Sequence, residues 1–110
     1  MTQVDLNACA YLAYRTADAA RNRTYRQLME RLQSDKAKAM LRDAERTWIA
    51  YRDKECAFET WNSEDGTIHP MLVNQCLAVK TKAHTRELRY QLYCPERSLD
   101  CVGPSPRPPQ

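Results

Sequence analysis

The stretch Ala44-Glu45-Arg46-Thr47-Trp48-Ile49-Ala50-Tyr51-Arg52-Asp53-Lys54-Glu55-Cys56 decides how the chain is read. It contains neither Gly nor Pro. With Leu41 before it and Phe58 after it, the apolar positions Leu41, Ala44, Trp48, Tyr51 and Phe58 recur every three or four residues, the period of a helix with one buried face. An indole can remove roughly 200 Å² from water, so Trp48 is expected where the other helices converge. Arg52, Asp53, Cys56 and Glu59 set a forked cation, two carboxylates and a thiol close beyond that anchor.

Working outward, residues 4–32 read as a first helix with Leu6, Ala10, Ala13, Ala17, Tyr25, Leu28 and Leu32 as its stripe. Asp5 lies near its start, where the helix dipole favours an anion, and its alanine-rich middle lets a partner helix come close. Asp18 and Asn22, one turn apart, are mediocre helix formers that either have structural partners or face solvent. Ser34 suits the N-cap of a second helix over 35–62, with Asp35 in its first turn. The short join predicts antiparallel neighbours. Residues 63–71 form the internal loop, where Gly66 permits positive φ and Pro70 suits a first helical turn. Ile68, Pro70 and Met71 are apolar for a loop and either fold back on the core or face a partner. A third helix over 71–92 carries two rows, Leu72, Cys76, Val79, Ala83 and Leu77, Thr81, His84, Leu88, Leu92. His84 reads as a partly buried or surface polar residue. The expectation is an all-α, three-helix antiparallel bundle over 1–93, then a loop over 94–101 closed by a Cys94–Cys101 disulfide. A disordered, proline-rich tail over 102–110 follows.

At 110 residues and 12.8 kDa the chain is one domain with a thin core. A mean hydropathy of -0.75 leaves no membrane-spanning segment. The net charge of +3 is interleaved along the chain rather than gathered into a basic stripe, which argues against nucleic acid. Five cysteines without a CxxC pair, and two histidines without ligand spacing, argue for disulfides rather than a metal. Disulfides imply an oxidising compartment, the periplasm or the cell exterior. No signal peptide precedes the first amphipathic pattern, so the expected form is a mature protein with a start Met. Cys56 and Cys76 lie at the two roots of the internal loop, where a bridge would staple them. Cys9 is also within reach of either, so Cys9–Cys56 and Cys9–Cys76 remain open; as the leftover thiol, Cys9 is expected to be buried.

No phosphate loop, GxSxG, HExxH or Cys–His pair is present. The acids Asp53 with Glu59 and Glu64 with Asp65 are ordinary for helical surfaces. The polar residues around Trp48 are more specific. Asp18, Asn22, Arg52, Asp53 and Arg86 are expected to form an interhelical network that fixes register.

At these residues the chain resembles the domain family named for the lysozyme inhibitor LprI, long catalogued as a bacterial domain of unknown function. The matching positions in the first helix are Thr2-Gln3, Asn7-x-Cys9-Ala10, Ala17-Asp18, Asn22 and Tyr25. In the second they are Leu41, Ala44-Glu45-Arg46-x-Trp48 and Tyr51-Arg52-Asp53-x-x-Cys56. Gly66-Thr67-Ile68-x-Pro70-Met71, Cys76-Leu77, Thr81 and Arg86-Glu87-Leu88 follow. Cys94 and Cys101 resemble a subset of members. The chain departs from the family at Glu45, where Gln is common, and at Asp65-Gly66, where Gly-Gly is usual, with Glu64 before it. The resemblance implies a secreted or periplasmic helical domain without a cofactor, and lysozyme inhibition for some members. On that reading the partner is a lysozyme-like hydrolase or a toxin, and the docking candidates are Glu59, Glu64, Asp65, Thr67, Ile68 and His69. The rival readings are an immunity protein for one cognate toxin, an envelope structural protein, and an enzyme whose cleft would hold Glu59 and His69.

Overall fold

A computed structural model describes residues 1–94 and residue 101 of the chain. Three helices follow one another: α1 (Gln3–Arg31), α2 (Asp35–Glu59) and α3 (His69–Leu92), with a 3-10 turn at Trp61–Ser63 between the last two. The expected tail, 102–110, and the interior of the 94–101 loop lie outside the described residues.

Local chemistry sets the ends. Thr2 caps α1 reciprocally: its hydroxyl accepts from the Asp5 amide and the Asp5 carboxylate accepts from the Thr2 amide, both at 3.1 Å. The Ser34 hydroxyl accepts from the Ala37 amide at 3.1 Å and starts α2. α3 begins at His69, earlier than periodicity alone indicates, because Pro70 fits its first turn. α2 in turn stops at Glu59 rather than at 62, so the connection is shifted to residues 60–68 rather than shortened. Gly66 does not take a left-handed φ, and a Cβ there would meet the Ser63 carbonyl at 3.4 Å, an ordinary contact.

α1 and α3 run parallel. Gln3 Nε2 lies 3.8 Å from Met71 Sδ and Asn7 Nδ2 donates to the Thr67 carbonyl at 3.0 Å, while Leu28 and Leu32 cluster with Leu88 and Leu92 at the other end. The two helices approach closely along their length because their shared face is built of small side chains, with Ala10, Ala17, Thr24, Ala78, Thr81 and Thr85 all buried. Two of the buried threonines return their hydroxyls to their own helices, Thr24 to the Ala20 carbonyl at 3.0 Å and Thr85 to the Thr81 carbonyl at 2.9 Å. α2 runs antiparallel to both, touches the leucine cluster through Ala37 and Leu41, and is stapled to α3 by the Cys56–Cys76 disulfide. Cys94 is bonded to Cys101. Burial of each core leucine contributes about 2 kcal/mol. The result is an all-α, up-down-up arrangement 53 Å long and 19 Å across its thinnest direction.

Several expected core positions are on the surface. Tyr51 and Phe58 are 56% and 76% exposed, Val79 is 68% exposed, and Ala13 and Ala44 face solvent. The inward face of α2 is instead centred on Glu45, Arg52 and Cys56. Tyr51 sits roughly 100° around the helix from Arg52, so a stripe drawn through Tyr51 points along one flank. Cys9 is free and exposed rather than buried.

Candidate functional site

At the waist of the molecule, where an indole was expected to be the deepest group, a guanidinium is. Arg52 is 4% exposed and Trp48 half-buried. Arg52 lies between two rings, its carbon 5.3 Å from the Tyr14 centroid and 5.3 Å from that of Trp48. Trp48 in turn stacks on His84, centroids 3.8 Å apart and planes 10° from parallel. The Arg52 fork donates to Asp53 (Nε–Oδ1 3.0 Å), to Asp18 (Nη1–Oδ1 3.1 Å) and to the fully buried Thr81 hydroxyl at 3.3 Å. Asp18 also accepts from Arg21 Nε at 2.8 Å. Beside this, His84 Nε2 donates to Glu45 Oε1 at 2.5 Å, and Glu45 Oε2 faces Arg21 Nη1 at 3.6 Å.

The charges tune one another. Burial raises the Asp18 carboxyl, but hydrogen bonds and charge from Arg21 and Arg52 outweigh it and hold Asp18 below the usual carboxylate value. Burial likewise lowers Arg52, and its bond to Asp53 with the neighbouring Tyr14 and Asp18 more than restores it, so it stays firmly cationic. Burial pushes the Tyr14 phenol up. This seam fixes how α2 sits on the α1–α3 pair. Of the expected network, Asp18, Trp48, Arg52 and Asp53 meet here. Asn22 is exposed on the rim of a neighbouring groove with Glu45 and Arg46. Arg86 lies elsewhere, exposed along a groove between α1 and α3, because its α3 position faces away from α2. Arg21 and Tyr14 were not singled out from sequence, and Glu45, Thr81 and His84 were named there without being placed in this network; His84 is half-buried, as read. The seven-residue interval from Glu45 to Arg52 and the three-residue interval from Asp18 to Arg21 were the available signals.

The second feature is the tip where α2 turns into α3. The disulfide closes its roots. Thr60 Oγ1 donates to the Cys56 carbonyl at 2.6 Å, Ser63 Oγ donates to the Thr60 carbonyl at 2.9 Å and lies 3.0 Å from His69 Nδ1, and the Gly66 amide donates to the Ser63 carbonyl at 2.8 Å. Asn7 ties the Thr67 carbonyl to α1. The segment is thus pinned on itself and on both neighbouring helices. Glu64, Asp65 and Thr67 are exposed, Ile68 is 39% exposed, and His69 is half-buried against Ser63. Glu59 stands apart, engaged by Lys80 at 2.8 Å, a bond that raises the Lys80 ammonium. Together they border a groove of about 410 Å³ lined also by Leu72 and Val79. His69 does not line this groove. Trp61, 67% exposed on this tip, is the residue sequence reading missed. Its signal was position: an indole just beyond a helix end, off the stripe.

Charge is divided along the long axis. Residues 1–14 and 53–80, the tip half, carry six acidic and two basic side chains, whereas 15–52 and 81–94 carry six acidic and thirteen basic. Among the described residues no group of His, Cys, Asp and Glu is placed to hold a metal, and no helix is long and apolar enough to cross a membrane.

Comparison with known proteins adds the lineage. A protein of Rhizobium meliloti (strain 1021), itself uncharacterised, is 40% identical over 101 residues, covering 81% of this chain and 73% of its own length. No solved structure matches the chain. The family described as "Lysozyme inhibitor LprI" matches residues 1–88, which span all three helices up to Leu88, the arginine seam and the tip. The chain therefore belongs to the LprI lysozyme-inhibitor family.

Proposed function

We propose that this protein is a secreted or periplasmic binding protein, not an enzyme, that inhibits a lysozyme-like, peptidoglycan-cleaving hydrolase by docking the segment from Glu59 to His69 against its cleft. The observation that carries this reading is the tip itself, pinned by the disulfide and by the Thr60, Ser63 and Asn7 hydrogen bonds while Trp61, Glu64, Asp65 and Thr67 stand outward. A loop already held in its bound shape loses little entropy on docking. Trp61 supplies the large, rigid anchor on which interface energy tends to concentrate. A glycosidase cleft works with a carboxylate pair, so the inhibitor's acids suit cations on the cleft rim rather than the catalytic acids. The net charge of +3 would repel a basic enzyme, but the uneven split places an acidic end foremost. The two disulfides fit an oxidising compartment.

The test is lysis of bacterial cell walls by lysozymes of several classes, with and without the purified, oxidised protein. The expected result is inhibition at or below micromolar protein, weakened about tenfold or more by Trp61→Ala with thermal stability unchanged. Absence of inhibition for every class at micromolar protein would overturn the proposal, and full inhibition by Trp61→Ala would remove the tip from it.

A further inference from the structure

The face of the α1–α3 pair that α2 leaves uncovered holds a second surface, remote from the tip's chemistry. A groove of about 580 Å³ runs between these helices over a floor of Ala13, Thr16, Ala17, Ala20 and Thr85. Lys82, Arg86 and Arg89 stand along it. Their spacing of four and three residues puts them on one side of α3 over roughly 10 Å of helix. Beyond Ala20 and Arg89 the groove continues past Arg23, Gln27 and Tyr93. All four cations are exposed, and among the described residues none forms an ion pair and no carboxylate lines either stretch. Elsewhere this protein spends its buried arginines on acids, as Arg21 and Arg52 do on Asp18. A row of four unspent cations over a narrow, hydroxyl-bearing floor is the complement of a linear chain with regularly spaced anionic groups.

We propose that this groove binds an anionic glycan of the cell envelope, so that the protein is two-ended: an acidic tip for the hydrolase and a cationic groove for the polymer among which such a hydrolase works. The lining favours a glycan over other polyanions. Its floor of small side chains offers no row of aromatic platforms on which bases would stack, the one ring along it, Tyr93, being covered by Arg31 at 5.7 Å, and no exposed aliphatic side chain of the kind an interfacial helix sinks into lipid. Thr16 and Gln27 can donate and accept hydrogen bonds with sugar hydroxyls.

Binding is measured with the full oxidised chain against polygalacturonate as a carboxylate glycan, a glycerol-phosphate polymer as a phosphate-bearing one, dextran as a neutral control, anionic phospholipid vesicles and single-stranded DNA. The expected result is binding to one or both of the first two, none to dextran, and marked weakening at raised salt. Lys82→Gln/Arg86→Gln/Arg89→Gln should weaken it at least tenfold with helix content and cell-wall lysis inhibition retained. Lys36→Gln/Lys38→Gln/Arg42→Gln, which removes equal charge elsewhere, should leave it within twofold. Equal loss in both variants, tighter binding to vesicles or DNA, or no binding to either anionic polymer would overturn the assignment. Inhibition is read in a separate assay, so failure here leaves the tip's role standing, and the reverse.

Discussion

The two ways this protein joins helices differ in kind. α1 meets α3 through alanines, threonines and a terminal leucine cluster, so the backbones come close and the contact is spread along both helices. α2 meets that pair through long polar side chains around Arg52, with a disulfide at one end and Leu41 at the other. The first joint is held by packing, where each side chain contributes a little. The second is concentrated in a few directed bonds, so losing one partner leaves charge buried and unmatched. A thin core can thus hold a third helix without more apolar residues, at the cost of sensitivity to single changes.

That contrast can be broken most forcefully at Arg52. Arg52→Ala strips Asp18, Asp53 and Thr81 of a shared donor and should destabilise the fold by about 3–5 kcal/mol, measured by urea unfolding; a loss under about 1 kcal/mol would mean the seam is ornamental. Leu92→Ala, at 1% exposure in the packed joint, should cost about 3 kcal/mol, and its effect should add to that of a distant tip variant within about 0.5 kcal/mol. Removing the staple with Cys56→Ala/Cys76→Ala opens a bridge of sequence separation 20 and should cost about 2–4 kcal/mol. Amide exchange should then rise first around Cys56 and the tip rather than in α1. The smallest effect is acid-linked. Because the folded Asp18 value lies below the ordinary 3.8, its contribution is present above that value and is lost as pH falls through the depressed one. Asp18→Asn should flatten the fall in stability below about pH 4; an unchanged acid limb in melting curves would assign that fall to other carboxylates.

Much of this was legible in the chain. Asp5 and Ser34 marked two helix starts and Pro70 the third, and the cysteines at 56 and 76 fell at the roots of a turn that could be closed. The alanines of α1 announced a close neighbour, although that neighbour is α3 and not the helix next in sequence. The misreadings share one cause. Periodicity scores side chains by their apolarity, and the inward face of α2 is polar, so the stripe was drawn through Tyr51 and Phe58 when Glu45 and Arg52 held the interior. His84 is half-buried, as read, but its partners Trp48 and Glu45 could not be named from the chain, because stacking and a buried carboxylate bond are properties of two helices at once. Trp61 was overlooked for the opposite reason: an exposed indole leaves no pattern.

The parallel pairing of α1 with α3 also bears on how the chain is made. The first helix to emerge finds its main partner only when the last described helix is complete, across an interval of about forty residues that includes all of α2. Until then its alanine stripe has nothing to lie against, and helices that lack a packing partner are only marginally formed in water. A chain that lacks His69–Leu92 therefore lacks the surface that covers most of the inward face of α1.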